Sequence, residues 1–312
     1  MAALKEIKSR IASVKNTLKI TSAMKMVASA KLHKAQTAIG NKLPYEHKLH
    51  KMLSGMLQDD DLQKALKKEL GFGTGGKSPV ELQDIAIDAL PSKETVSRVA
   101  LVVFSSNSSL IGAFNANVIK KFGQTMRLLS GNGYSKTDVD IYCVGKKIAE
   151  AVRREGYVSF KELPNLSDKP DYAKASTLAL ELVERFSEGE VGQVILVYNH
   201  FASMSSQPSV RENYLPLALH DYNETSEPVD YIIEPDPIEL VKELLPLVLN
   251  LKIYTVALDA SAAEHAARTL AMQIASDNAK DLISELTLAY NKGRQQEITA
   301  EILDLVGGLQ NQ

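Results

Sequence analysis

The chain of 312 residues has no tryptophan, one cysteine and only 6% aromatic residues. A single cysteine, Cys143, excludes an intrachain disulfide framework, and its place in the apolar run 139–144 marks it as an inert core thiol. So few large rings are thin for a chain that is all compact core, so part of the length is expected to be elongated helix. No stretch approaches the ~20 apolar residues that cross a bilayer. The N-terminus lacks the apolar centre of a secretory signal. It is lysine-rich but enters a regular helical pattern at once, with Glu6 present, so a removable transit peptide is not expected. The net charge of −2 excludes a strong general pull on nucleic acid or membranes. What remains is 45% hydrophobic, enough for one large domain or two modest ones.

Glycine and proline are scarce at the two ends. Residues 3 to about 57 contain Pro44, Gly40 and Gly55 and no others of either type. Leu4, Ile7, Ile11, Val14, Leu18, Thr21, Lys25, Ala28, Leu32, Ala35 and Ile39 step alternately by three and four, the spacing of a coiled-coil seam. Such a helix is roughly 80 Å long at 1.5 Å per residue, and Gly40 and Pro44 leave room for a bend or break. From Ser261 to about Leu309 there is no proline, and Ala275, Ala279, Leu282, Leu286, Ala289, Gly293, Gln296, Ala300 and Leu303 step by four and three. This helix is read as starting as early as Pro246, since proline suits a first turn. Residues 1–51 carry eleven Lys/Arg and two Glu, while 259–312 carry four Lys/Arg and eight Asp/Glu. An antiparallel pairing of the ends offsets part of that difference. Each exposed ion pair contributes only about 0–1 kcal/mol, so the apolar seam drives the pairing.

The middle alternates between strand and helix. Strands are expected at 99–104, 138–144, 157–161, 194–198, 210–217 and 229–233, with helices over 113–129, 145–155 and 171–188. The fold class is therefore α/β: a long antiparallel two-helix coiled coil from the ends plus a central Rossmann-like α/β domain. The boundaries are 1–57 for the first helix, 58–98 for a polar insertion, 99–236 for the central domain and 237–312 for the closing helix.

Sites for chemistry are weak. Gly71-Phe72-Gly73-Thr74-Gly75-Gly76-Lys77-Ser78 fits the spacing of a phosphate-binding loop. A charged helix end, 65–70, precedes it where a buried strand is required, so a flexible glycine loop is the better reading. His47 and His50 lie among lysines with no metal spacing, and no metal or other cofactor is expected. The turn Ser105-Ser106-Asn107-Ser108-Ser109 follows a strand, a common place for ligands in α/β folds, but lacks a glycine run and a convergent base. No nucleophile, base and orienting group come together, so an enzyme is not expected.

The termini resemble the gamma subunits of F-type ATP synthases. The stretch 7–31, from Ile7-Lys8-Ser9-Arg10 through Met24-Lys25-Met26-Val27-Ala28-Ser29-Ala30-Lys31, is similar to that family's opening helix. Ser276-Asp277-Asn278-Ala279, Leu288-Ala289-Tyr290-Asn291-Lys292-Gly293-Arg294-Gln295 and 298–308 are similar to its closing helix, and the stretch 197–201 with Glu234-Pro235 also fits. The chain departs from the family's Ser-Asp-Arg-Gly-Leu-Cys-Gly-Gly-like turn, having Ser106-Asn107-Ser108-Ser109-Leu110-Ile111-Gly112-Ala113 without the charged pair. Gly293 stands where alanine is common, which softens the last turns by about 1 kcal/mol.

The resemblance implies a non-catalytic rotor in a proton-transporting ATP synthase. Its coiled coil enters a ring of three alpha and three beta subunits, and its α/β base meets the epsilon subunit and the c-ring. It implies partner contacts at Met24, Lys25, Met26, Lys31, Arg268, Asn291, Arg294, Gln295, Thr299 and Glu301, with Lys25 and Lys31 meeting acidic segments of the beta subunits. It also implies attachment to the cytoplasmic face of a bacterial inner membrane through partners. A different reading of 1–51 is a basic coiled-coil adaptor for nucleic acid or anionic membrane. The scatter of its lysines around the helix and the acidic C-terminal helix weigh against that.

Overall fold

The computed structural model describes residues 2–56, 90, 93, 96–216 and 236–310, so the glycine loop at 71–78 and the strand expected at 229–233 lie outside the described residues. Two compact units are present, residues 31–267 and residues 1–30 with 268–312. Helix α1, Ala2–Met56, and helix α6, Pro237–Gln310, each contribute to both.

The larger unit is built on a five-stranded sheet. Strands β1 (Val99–Phe104), β2 (Val139–Val144), β3 (Ser159–Glu162), β4 (Gln193–Asn199) and β5 (Ser209–Leu215) lie in the order β3-β2-β1-β4-β5. The first four are parallel, and β5 runs antiparallel beside β4. Strands β1, β2 and β4 are near-continuous apolar runs because both of their faces are covered. Val99, Leu101, Val103, Ile141, Cys143, Ile195 and Val197 pack under helices α2 (Phe114–Gly131) and α3 (Lys146–Arg154). Ala100, Val102, Phe104, Tyr142, Val144, Leu196 and Tyr198 face the opposite layer. It is made by α5 (Tyr172–Ser187), residues 241–260 of α6, and Leu49, Leu53 and Met56 of α1. A short helix α4, Pro164–Asp168, follows β3.

Three expectations change. Helix α6 starts at Pro237, at the boundary given for the closing helix and nine residues before the Pro246 start suggested by its pattern. Asp236 sets the start, its carboxylate accepting from the Ile238 N–H at 3.3 Å and its carbonyl from the Leu240 N–H at 3.1 Å, with proline in the first turn. Neither Pro44 nor Pro246 ends its helix. A proline frees the carbonyl four residues earlier, and here those residues, Gly40 and Lys242, are exposed, so the gap in the helix ladder does not fall in the core. Finally, α6 contains an 18-residue stretch long and apolar enough to cross a membrane, and 67% of that stretch is buried. Its apolar character is that of a helix packed on a sheet.

In the smaller unit α1 and α6 run antiparallel. Thr21 accepts from Ser276 at 2.8 Å, Lys25 donates to Gln273 at 2.5 Å, and Leu4 lies against Gly293. On α1 the half-buried or buried positions of this unit include Leu4, Ile7, Ile11, Val14, Leu18, Thr21, Lys25 and Ala28, in the spacing of the sequence, with Ser22 and Met24 half-buried beside them. Within the larger unit the same two helices meet through Leu32, Ala35, Ala262 and Ala266.

Candidate functional surface

A doubly wound sheet binds ligands at the carboxyl ends of its strands, where the strand order reverses, here between β1 and β4. This chain fills that place with its own side chains. Asn115 accepts from the Ser106 N–H at 3.2 Å and donates to the Ser108 carbonyl at 3.2 Å. Asn199 donates to the Phe114 carbonyl at 2.9 Å. Asn107 accepts from the Lys146 N–H at 2.8 Å and donates to the Pro164 carbonyl at 2.8 Å. Gly145 adopts φ +111°, and a Cβ there would lie 2.3 Å from the Ser105 carbonyl oxygen, so the β2–α3 turn presses directly on the end of β1. Beside the crevice, at the ends of β1 and β2, Ala257, Ala260, Ser261 and Glu264 of α6 border a cavity of about 10 Å³. That is room for one water at most.

Cys143 and Glu46 are among the titratable groups in this unit shaped by burial. The Cys143 thiol is pushed up to about 12, chiefly by burial and secondarily by Glu162, so it stays protonated and unreactive. Glu46, buried on α1, faces Lys252 and Thr255 of α6 and Glu212 of β5, with His47 beside it. Lys252 bonds Glu212 at 2.5 Å and stands 3.8 Å from Glu46. Tyr198 donates to the other Glu212 oxygen at 3.0 Å. Burial raises the Glu46 carboxyl above its ordinary range against the opposing pull of Lys252.

The smaller unit exposes what a free helix pair normally hides. Met26 is 66% exposed, Leu288 74% and Leu303 65%, with Ile20, Val27, Ile298 and Ile302 also exposed. Large apolar groups gathered on a narrow element mark an interaction surface. The residues expected to touch partners are not equivalent. Met26, Asn291, Arg294, Gln295, Thr299 and Glu301 are exposed, as is Lys31 in the larger unit, whereas Met24 and Arg268 are half-buried. Lys25 is half-buried and bound to Gln273, which in turn donates to Asp277 at 2.5 Å. Gln273 and then Lys280 hold the Asp277 carboxyl below its usual range. The ammonium expected on partner acids is thus engaged inside the helix pair.

The expected seam on α6 needs a correction. Leu282, Ala289 and Leu303 are exposed and Ala275 is half-buried; the covered stripe runs Met272, Ser276, Ala279, Ile283, Leu286, Tyr290, Gly293. Ala279, Leu286 and Gly293 belong to both sets. Between them the alternation of four and three admits either 282 or 283 and either 289 or 290, all apolar. The partner helix selects Ile283 and Tyr290. The Gln273 and Ser276 contacts escaped sequence reasoning; the signal for them was the pair of polar residues, Thr21 and Lys25, inside an otherwise apolar seam on α1.

The model of the ATP synthase family matches residues 3–311. The chain is 50% identical over 320 residues to an ATP synthase gamma chain of Bacteroides thetaiotaomicron and 51% identical over 312 residues to one of Bacteroides fragilis, covering 99% of each chain in both cases. It is 39% identical to that of Christiangramia forsetii, across 99% of this chain and 98% of the relative. Among solved structures it superposes on a chain of the Euglena gracilis mitochondrial ATP synthase (OSCP/F1/c-ring) with a TM-score of 0.62 at 20% identity, covering 99% of this chain and 94% of that one. A chain of the Tetrahymena thermophila central stalk and c-ring gives 0.53 at 23% identity, covering 82% and 99%. At these identities the superpositions speak for the fold.

Proposed function

The chain belongs to the ATP synthase gamma chain family, and from that membership we propose how its two units divide the work. Its function is that of the central-stalk subunit, which mechanically couples ion flow through the membrane sector to ATP synthesis or hydrolysis. The paired helices of residues 1–30 and 268–312 form the part that turns inside a ring of alpha and beta subunits. Their exposed Met26, Leu288 and Leu303 supply the sliding apolar contact, and Asn291, Arg294, Gln295, Thr299 and Glu301 the polar one. That exposed apolar surface is the observation that carries the assignment. The sheet unit serves as the base, meeting the epsilon subunit and the c-ring. The chain sits on the cytoplasmic face of a bacterial inner membrane through those partners.

ATP chemistry belongs to the partners. The strand crevice supports this, since Asn107, Asn115 and Asn199 spend their hydrogen bonds on the fold itself. The adaptor reading for nucleic acid or membrane finds no support in the relatives named above, which are gamma chains of ATP synthases.

The test is reconstitution. The purified chain hydrolyses no ATP but restores coupled turnover to alpha–beta rings in vesicles, whereas Leu286→Pro assembles without coupling. ATP hydrolysis by the isolated chain, or normal coupling in the proline variant, overturns the division of labour.

A further inference from the structure

Helix α2 carries Gly123 in its interior, where glycine is less favourable than alanine by about 0.5–1 kcal/mol. Glycine persists inside a helix when another part of the chain comes close. Here a Cβ would meet nothing within 4 Å. The space belongs instead to an open groove of about 560 Å³ between α2 and the end of α3. The missing side chain makes room, and none of the described residues uses that room.

The lining states what would fit. Lys120 and Arg127 on α2 and Arg154 at the end of α3 border the groove, and all three are exposed. Among the described residues none of the three makes a hydrogen bond or a close ion pair, although Glu150, one turn back on α3, lies within electrostatic reach of Arg154. Their neighbours do: Arg153 pairs with Glu162 at 3.7 Å, Lys147 with Glu150 at 2.9 Å, and Lys136 donates to the Glu155 carbonyl at 3.2 Å. Arg154 also suits the last turn of α3, where helix carbonyls favour a cation, but that reason does not extend to α2. Lys120 and Arg127 are seven residues apart, hence on one face about 10 Å apart. The carboxylate of Glu155 is the one opposing charge in the lining. Lys136 stands 4.4 Å above the ring of Tyr157, itself part of the lining. The remaining surface, Ile119, Ala116 and Tyr157, is apolar or aromatic.

We propose that this groove binds a phosphate group joined to an apolar or aromatic body, with Lys120, Arg127 and Arg154 around the phosphate and the body over Gly123. The shared chemistry has two sources, a free nucleotide or an anionic phospholipid headgroup. The proposal stands independently of the rotor assignment.

The experiment titrates the purified full chain with ATP, inorganic triphosphate, phosphatidylglycerol vesicles and a polyglutamate peptide, at low and at physiological salt. Saturable, salt-sensitive binding of a phosphate ligand is expected. Arg127→Gln and Arg154→Gln each weaken it about tenfold, the loss of one charge-assisted contact. Gly123→Leu fills the groove and removes binding while helix content is kept. If Gly123→Leu does not fold, the two exposed arginine variants decide alone. ATP binding tighter than vesicle binding assigns a soluble nucleotide, and the reverse assigns a lipid headgroup. No saturable phosphate binding, binding untouched by the variants, or binding of polyglutamate alone overturns the proposal.

Discussion

In residues 31–267 whole strands are inaccessible: Leu101, Ile141, Cys143, Leu196 and Val197 are all 0% exposed. In residues 1–30 with 268–312 the described buried side chains are Thr21, Ala28, Thr269, Met272, Ser276 and Ala279. Fully burying a Leu, Ile or Val contributes about 1.5–3 kcal/mol. The first unit therefore has many side chains that each contribute on this scale. The second fully buries mostly small and hydroxylic residues, while the larger residues of its seam, such as Ile7, Ile11, Leu18, Ile283 and Leu286, are only half-buried, so it stores less free energy per side chain between its two helices. A part that must hold together while its neighbours change has its large apolar groups turned outward, where others can cover them.

That contrast predicts a graded series. Leu196→Ala, in strand β4, removes about 2–5 kcal/mol, read as a lower urea midpoint for the whole sheet unit. Leu286→Pro removes about 3 kcal/mol or more, but from the helix pair. Its helicity falls while the urea midpoint of the sheet unit stays put, and loss of both together would show that the two units do not melt separately.

Glu46→Gln tests the polar weak point of the larger unit. A carboxyl raised by burial favours the folded state when protonated, and that advantage is lost as pH rises from the ordinary glutamate range through the raised value. The glutamine variant is therefore more stable than the parent at pH 8, with the gap closing toward pH 4, in paired denaturation curves. A gap that widens on acidification means the Lys252 attraction outweighs burial.

Gly293→Ala is a near balance. Alanine adds up to about 1 kcal/mol of helix propensity. Its Cβ, however, would come within 2.9 Å of Leu4 Cδ2, so the leucine must turn away. A gain well below that figure in thermal melts is expected, and Leu4→Ala in the same chain restores it. Leu288→Gln has the smallest effect on the free chain, within about 0.5 kcal/mol, yet lowers coupled turnover in the reconstituted ring. Unchanged turnover would remove Leu288 from the contact surface.

Much of this was legible from residue order. The spacing of three and four on α1 placed its covered side correctly from Leu4 to Ala35, because Ile7, Ile11, Val14 and Leu18 alternate with charged neighbours that leave one choice. On α6 the same rule failed between 279 and 293, since Leu282 and Ile283 are both apolar and so are Ala289 and Tyr290. Periodicity locates a stripe only where its flanks are polar. The apolar runs at 99–104 and 194–198 announced strands covered on both faces. The filling of the crevice beyond them was not visible, since it depends on Asn107, Asn115 and Asn199 meeting across three connections. Glu46 with Lys252 was equally hidden, two charges some two hundred residues apart with no local pattern.

The rungs Thr21–Ser276 and Lys25–Gln273 have one more effect. Alanine-rich surfaces tolerate sliding, and nothing about Ala28 or Ala279 alone would stop one helix from creeping a heptad along the other. Displaced that way, Lys25 would confront Lys280 in one direction and lose its acceptor to Ala266 in the other. Two polar rungs thus calibrate the length of the pair, and a twisting load applied at one end arrives at the other without slippage.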